Sequence, residues 1–390
     1  IDNQIVIHNY LDFTDLADYL TIDYEFVENG VVTSGGNLSV SCQPHGSVVL
    51  PIELPKNNGH LWLLNLNYRL NTAVELLDEA HSLGFEQLNL FSENKLVLPQ
   101  FTIENSAFEV QEDRFHINVH NGQFSYQLDK QKGIFTRIEK AGKAIIQQSL
   151  DFNIWRAPTD NDRLIREACQ NAGYDKAYTR AYEIQWQQSE QAVEFSVKSA
   201  IVSISRGRIL TLDIRYRIFN DGQLSVEINA IRPIELPYLP RFGLRFFLAK
   251  TENAIEYFGY GEQESYIDTR NLPQLGIYRI TAKQNHTNYV KPQETGSHYG
   301  CEYLKSENLF VSANQPFSFN LSPYTQEELT ERKHYYELQE SDYSVLCIDS
   351  HNEWYRFQTH AAPNLKDQYR LMESEFKIRF DLIFDKTIRQ

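Results

Sequence analysis

The chain has 390 residues, which is enough for two or three domains with full hydrophobic cores. A formal net charge of −15 argues against nucleic acid as a partner, because phosphate groups would be repelled. No apolar run approaches the roughly 20 residues that cross a bilayer, and no signal peptide opens the chain, so no membrane partner is expected. The cysteines lie too far apart for a zinc or redox motif and are predicted to be free thiols of a cytoplasmic protein: Cys42, Cys169, Cys301 and Cys347.

The chain begins at Ile1 and its one methionine is Met372, so it is expected to be a fragment or a processed chain. Aromatic residues make up 13% of it. That share is typical of large β-sheets and of surfaces that face sugars.

Strict alternation of apolar and polar residues is the dominant pattern, and it predicts half-buried strands. In chain order, Asn29-Gly30 predicts a hairpin turn after the strand at 24–27. Residues 64–70 alternate strictly, and so do residues 212–218, which the turn Asn220–Gly222 joins to a further strand.

Helical periodicity is confined to two short stretches, residues 164–177 and 325–333, and neither alternates with strands as a βαβ unit does. The chain is therefore predicted to be all-β. Residues 1–100 carry about seven short strand signals, which predicts an immunoglobulin-like β-sandwich. After a linker near residues 99–105, residues 107–390 are predicted to form one large double-sheet domain.

The segment WRAPTDNDR, residues 155–163, has the charges of a metal or catalytic site. A calcium loop needs oxygen ligands at alternate positions, but Leu164 and Arg166 occupy the next two. Pro158 restricts the backbone, an arginine can pair with the aspartates, and Asp162 or Asn161 can cap the helix that follows. The segment is therefore predicted to be a structural loop locked by its own charges, through Arg156, Asp160, Asn161 and Asp162.

The stretch around residues 351–360 suggests sugar chemistry. Asn352-Glu353 resembles the acid/base pair of many glycosidases, but a barrel that would supply a second carboxylate is absent from the pattern, so Glu353 is interpreted as a loop residue. Trp354 and His360 belong to the densest aromatic and imidazole group. They are candidate sugar contacts, with packing on a strand face as the alternative.

Several segments, in this order and spacing, resemble the C-terminal region of the glycoside hydrolase family 2 β-galactosidases of the long bacterial type. The charged loop resembles the family's RAP-x-DND segment, and 124–133 resembles the opening of its last domain. The other segments that carry the resemblance are Ala80-His81, Pro240–Gly243, Gly259–Asp268 with Glu262 in place of proline, Tyr289–Gly296 and Leu321–Gln326.

The resemblance implies an immunoglobulin-like domain followed by a supersandwich of the galactose-mutarotase kind. It also implies that the catalytic glutamates and the magnesium and monovalent-cation sites of the full enzyme lie in an N-terminal catalytic portion, which would be the partner of this chain. No catalytic residue, metal site or cofactor is expected here. A galactoside substrate and a homo-oligomeric full enzyme are implied in the same way.

One departure concerns the loop that carries a stacking tryptophan in the family, because Ala361 stands at that position. Trp354 or His360 then substitutes for it, or the platform is absent. The function predicted from the resemblance is the non-catalytic C-terminal portion of a β-galactosidase that hydrolyses terminal β-D-galactosides. The alternatives are a free-standing carbohydrate-binding module and an aldose epimerase-like protein.

Overall fold

The computed structural model describes residues 4–101, 106–204, 206–251, 254–267, 273–352 and 374–384. The chain divides into two compact units, residues 1–98 with 275–277 and residues 99–274 with 278–390. Strands dominate both, and the helices in the described ranges are short, so the all-β prediction is confirmed.

The first unit has six strands in its described part, where about seven were expected. Its elements are β1 (Val6–His8), α1 (Leu16–Tyr19), β2 (Leu20–Glu28), β3 (Val31–Leu38), β4 (Ser47–Val49), β5 (Trp62–Leu70) and β6 (Ser82–Asn89). They form a four-stranded antiparallel sheet in the order β3-β2-β5-β6 and a two-stranded sheet, β1-β4.

A sandwich core lies between these two sheets. Leu64 and Leu66 of β5 are buried, whereas Asn65 and Asn67 between them are partly exposed, as the predicted alternation requires. The buried residues of β2 and β5 pack with apolar residues of and beside β1 and β4. Asn29 and Gly30 both have positive φ, 47° and 84°, so the predicted hairpin turn between β2 and β3 is confirmed.

The second unit contains a five-stranded sheet in the order β11-β10-β9-β8-β7. Its strands are β7 (Glu109–Glu112), β8 (His116–His120), β9 (Phe124–Asp129), β10 (Ile134–Lys140) and β11 (Lys143–Ala144).

A twelve-stranded sheet follows, and its main path runs β12-β17-β22-β21-β23-β16-β15-β14-β13, with β20, β18 and β19 joined to it through β21. Its strands are β12 (Asp151–Asn153), β13 (Tyr178–Gln188), β14 (Ala192–Ser203), β15 (Gly207–Phe219), β16 (Leu224–Ile231), β17 (Arg241–Ala249), β18 (Ala254–Tyr260), β19 (Leu275–Thr281), β20 (Ser297–Lys305), β21 (Phe310–Ser322), β22 (Tyr343–Asn352) and β23 (Glu375–Ile383). The main path begins at β12 and ends at β13, and in the described part of the chain these two strands are not paired with each other, so the main path does not close.

The short helices lie between strands, near the positions that periodicity predicts. They are α2 (Arg163–Asn171) and α3 (Gln326–Glu331), with 3₁₀ turns at Asp160–Asp162, Tyr174–Lys176 and Tyr335–Glu337. Thr325 caps α3, because its side chain accepts a hydrogen bond from the backbone N–H of Glu328 at 3.1 Å.

One aromatic core joins the two sheets of the second unit. The ring of Phe135 from the five-stranded sheet lies 6.2 Å from Phe195 and 5.0 Å from Tyr216 of the larger sheet. Tyr216 donates its buried hydroxyl to the carbonyl of Gly133 at 3.0 Å, and Tyr126 donates to Gly222 at 2.5 Å. Tyr126 and Tyr216 therefore each satisfy their hydroxyl group on a turn of the opposite sheet, which fixes the spacing of the two sheets.

Candidate functional site

The loop at residues 155–163 is held by a buried ion pair. Nη2 of Arg156 lies 2.7 Å from Oδ1 of Asp162, and the side chains are 1% and 4% exposed. The backbone N–H of Thr159 donates to the second carboxylate oxygen of Asp162 at 2.7 Å. Both oxygens of Asp162 are thus used inside the loop, and neither faces solvent.

The prediction that the side chain of Asp162 or Asn161 caps the helix α2 is wrong. Asp162 occupies the N-cap position of α2, but its side chain makes no capping hydrogen bond, because Arg156 and Thr159 already engage it. Asn161 is partly exposed and Asp160 is exposed, and the backbone N–H of Asp160 donates to Oε1 of Gln293 at 3.3 Å. The loop is therefore bonded to the segment 289–296 as well as to itself.

Arg241 is the centre of a second, fully buried charge cluster. Its Nη1 lies 2.7 Å from Oε1 of Glu294, and its Nε and Nη2 lie 3.1 and 2.5 Å from the two oxygens of Asp349. The three side chains are at most 2% exposed. The backbone N–H of Glu294 also donates to the carbonyl of Ala157 at 3.0 Å, so the Arg156 loop and the Arg241 cluster form one framework.

Gly243 allows β17 to approach β22 beside this cluster. A Cβ atom at Gly243 would lie 1.9 Å from the carbonyl oxygen of Ile348 and 2.7 Å from Oδ1 of Asp349. Any larger residue would therefore displace the strand that carries Asp349. This close approach explains why glycine occupies position 243 in the segment Pro240–Gly243.

The buried charges are unbalanced, with two carboxyl groups facing one guanidinium. Burial raises the pKa of Asp349 to about 6, and Glu294 adds to the rise, although Arg241 opposes it. Burial also opposes the charge of Arg241, but the neighbouring acids outweigh it and raise its pKa. Arg241 is thus positively charged at neutral pH.

A third polar centre surrounds His298, whose side chain is fully buried. Its Nδ1 lies 2.8 Å from the hydroxyl of Tyr257, and its Nε2 lies 2.8 Å from Oδ1 of Asn285. The amide nitrogen of Asn285 donates to the carbonyls of Gly296 and Leu321, at 2.6 and 3.0 Å, so its oxygen is the acceptor and Nε2 carries the proton. Burial lowers the pKa of His298 to about 4, so its imidazole is neutral at physiological pH.

Two further contacts complete the framework around the segment 289–296. Oε2 of Glu264 accepts from the backbone N–H of Gly296 at 2.8 Å, and Nδ2 of Asn320 donates to the carbonyl of Thr295 at 2.5 Å. The segments that resemble a family in the sequence are thus bonded to one another in space. The carboxylates of Asp162, Glu264 and Glu294 in these segments bind backbone N–H groups or arginine, which is the chemistry of a scaffold.

Sequence reasoning missed two residues of this framework. Asp349 belongs to no quoted motif, and its one signal is an acid at the end of an apolar strand. His298 gave no signal, since a lone histidine between Ser297 and Tyr299 has no distinctive pattern. Trp354 and His360, the candidate sugar contacts, lie outside the described residues, as do Glu353 and Ala361.

Within the described ranges, no group of three or more His, Cys, Asp or Glu side chains is placed to share a metal ion. None of the helices in those ranges has the length and apolar character needed to cross a membrane.

Comparison with known proteins gives two family matches. Residues 120–382 match the family described as "Beta galactosidase small chain", and residues 5–91 match "Beta-galactosidase, domain 4". The chain is similar to a β-galactosidase of Actinobacillus pleuropneumoniae, with 88% identity over 390 residues, covering 100% of this chain and 39% of that protein. It is also similar to a β-galactosidase of Staphylococcus xylosus, with 28% identity over 394 residues, covering 98% of this chain and 39% of that protein. The chain therefore spans about two fifths of the length of these relatives.

Among solved structures, the chain is similar to a galactose 1-epimerase from Lactobacillus acidophilus NCFM. The identity is 11% and the TM-score is 0.36, over 73% of this chain and 99% of the other. Similarity at this level supports no argument about activity.

Replacing Arg241 by Leu should destabilise the chain by about 3–5 kcal/mol, because two buried carboxyl groups lose their counter-charge. Guanidinium-chloride unfolding measures the change. The matched control is Arg217→Leu, which removes an ion pair to Glu194 at 2.7 Å whose arginine is 42% exposed, and it should change stability by less than about 1 kcal/mol. Equal effects of the two substitutions would contradict the assignment of Arg241 as the centre of the framework.

His298 should make stability depend on pH. Because its pKa is lowered to about 4 in the folded chain and is about 6.5 when unfolded, the unfolded state binds more protons between these values. Its contribution is complete above the unfolded pKa and is lost as the pH falls towards 4, by about 3 kcal/mol in total. The pKa of Asp349 is raised in the folded chain, so its titration lowers the stability as the pH rises over part of this range. Every variant compared retains Asp349, so this effect is common to all of them.

Unfolding free energies measured from pH 4 to 7 for the native chain and for His298→Gln isolate this term. The variant should lose the histidine's part of the slope, whereas His120→Gln, at a partly exposed histidine of β8, should retain it. Parallel pH profiles for the native chain and His298→Gln would show that His298 is not buried in its neutral form.

Proposed function

Since the chain belongs to the β-galactosidase small-chain family, we propose that it is the non-catalytic C-terminal portion of an enzyme that hydrolyses terminal, non-reducing β-D-galactose residues. Retaining or inverting hydrolysis of a glycoside needs two carboxyl groups on either side of one bond. The described acids of the framework are committed to arginine or to backbone, which supports a catalytic centre carried by the N-terminal portion. Magnesium and a monovalent cation, implied by the family resemblance, would be bound in that portion as well.

The observation that carries the proposal is the anchoring of β22. Asp349 of this strand is held by Arg241, and Trp354 follows the end of the strand at Asn352 by two residues. An indole suits the apolar face of a sugar ring, and an imidazole at His360 suits its hydroxyl groups. We therefore propose that the framework holds the start of a segment through which Trp354 and His360 form one wall of the galactoside pocket.

The proposal includes a homo-oligomeric full enzyme with the N-terminal portion as the partner of this chain. It also includes a cytoplasmic location, which the four free and buried cysteines support.

A chimera tests the proposal directly. The C-terminal 39% of the Actinobacillus pleuropneumoniae β-galactosidase is replaced by this chain, which is 88% identical to it. The chimera should hydrolyse nitrophenyl-β-galactoside at a rate similar to that of the parent enzyme, whereas the 390-residue chain alone should show no turnover. Turnover by the chain alone that is abolished by Glu294→Gln would overturn the non-catalytic role.

The same chimera tests the proposed pocket wall. Trp354→Ala should raise KM about tenfold, because a stacking surface contributes about 1 kcal/mol or more to sugar binding. Trp186→Ala is the matched control, since Trp186 lies on β13 with its indole N–H bonded to Glu112 at 2.8 Å, and it should leave KM unchanged. Similar KM values for the two variants would remove Trp354 from the pocket.

A further inference from the structure

A cleft of about 590 Å³ opens where the twelve-stranded sheet fails to close. Its walls come from the two free ends of the sheet, β12 and β13, together with parts of β10 and β17 and the segment before β12. Among the described residues, no ladder of hydrogen bonds joins β12 to β13. The cleft is therefore a consequence of the topology.

The cleft has one exposed aromatic surface and an apolar floor. Tyr178 lies at the start of β13, and its side chain is 46% exposed. Ile134, Leu150 and Phe247 line the cleft and belong to the buried core or its edge. A single exposed ring above an apolar floor suits a ligand that has one apolar face.

The polar groups in the cleft are largely uncommitted within the described ranges. The side chains of Lys132, Gln148 and Ser149 make no hydrogen bond or ion pair with other described residues, and all three line the cleft. Thr179 is 5% exposed, and its hydroxyl has no partner among the described residues. Amide, ammonium and hydroxyl groups without partners can bind the hydroxyl groups of a ligand.

The charges around the cleft balance, which decides between a neutral ligand and an anion. Arg245 is paired with Asp151 at 2.8 Å and with Glu327 at 2.8 Å. Lys132 is the remaining charged group of the lining, and Glu327 lies outside the lining but neutralises Arg245, so the four groups together carry two positive and two negative charges. A site for a carboxylate or a phosphate would have an excess of positive charge, so the balance favours a ligand without charge.

We propose that this cleft binds a neutral saccharide, with a pyranose ring stacked on Tyr178 and its hydroxyl groups bonded to Gln148, Lys132 and Asp151. The cleft volume lies within the range of small-molecule sites and accommodates one or two sugar rings. The inference concerns a sugar site of this chain itself. It does not depend on the proposed role in galactoside hydrolysis.

Titration of the 390-residue chain with lactose, and separately with maltose, tests the site by isothermal calorimetry. Saturable binding of either sugar is expected, with a dissociation constant on the order of 1 mM. Tyr178→Ala and Gln148→Ala should each weaken binding at least tenfold. The control is Tyr182→Ala, because Tyr182 lies on the same strand, is 53% exposed and does not line the cleft.

Both cleft residues have exposed side chains, so their variants should retain the unfolding midpoint of the native chain, which circular dichroism checks. The absence of saturable binding of both sugars would overturn the proposal. Binding that Tyr178→Ala leaves intact, or stronger binding of glucuronate than of either neutral sugar, would overturn it as well. The titration measures no turnover, so its failure would leave the hydrolysis experiment with the chimera unaffected.

Discussion

The buried guanidinium of Arg241 determines how the polar interior around β17 and β22 is arranged. It bonds Asp349 of β22 and Glu294 of the segment 289–296, and all three side chains are at most 2% exposed. A buried carboxylate without its counter-charge is unfavourable by several kcal/mol. The strands β17 and β22 and the segment 289–296 must therefore keep one relative arrangement whenever the chain is folded.

The remaining polar contacts extend this constraint to neighbouring loops. The backbone N–H of Glu294 bonds to the carbonyl of Ala157 in the loop at residues 155–163. The side chain of Asn285 bonds to His298 and to the carbonyl of Leu321 at the end of β21. Hydrogen bonds in a low-dielectric interior reinforce one another when every group has a partner. Rigid loops at the ends of strands are a suitable support for a binding surface, which links this network to the proposed wall that follows β22.

The opposite situation holds at the free ends of the large sheet. Between β12 and β13 no ladder forms, and Lys132, Gln148 and Tyr178 point to a surface that the protein's own side chains do not fill. The two regions differ in how their polar groups are used. The polar groups of the Arg241 cluster bond to one another, whereas several polar groups of the cleft are available to bond a ligand.

The sequence by itself determined the all-β class, the hairpin at Asn29-Gly30, the alternating strands and the two short helices, because each of these depends on neighbours within a few residues. The motif segments also identified the loop at residues 155–163 and the segment 289–296, which form the polar framework. Only the tertiary structure decided that Arg241 pairs with Asp349, 108 positions away, and that Asp162 serves Arg156 instead of capping α2. The cleft likewise depends on which strands end the sheet. Such pairings are set by strand order and by burial, and no local pattern records either of them.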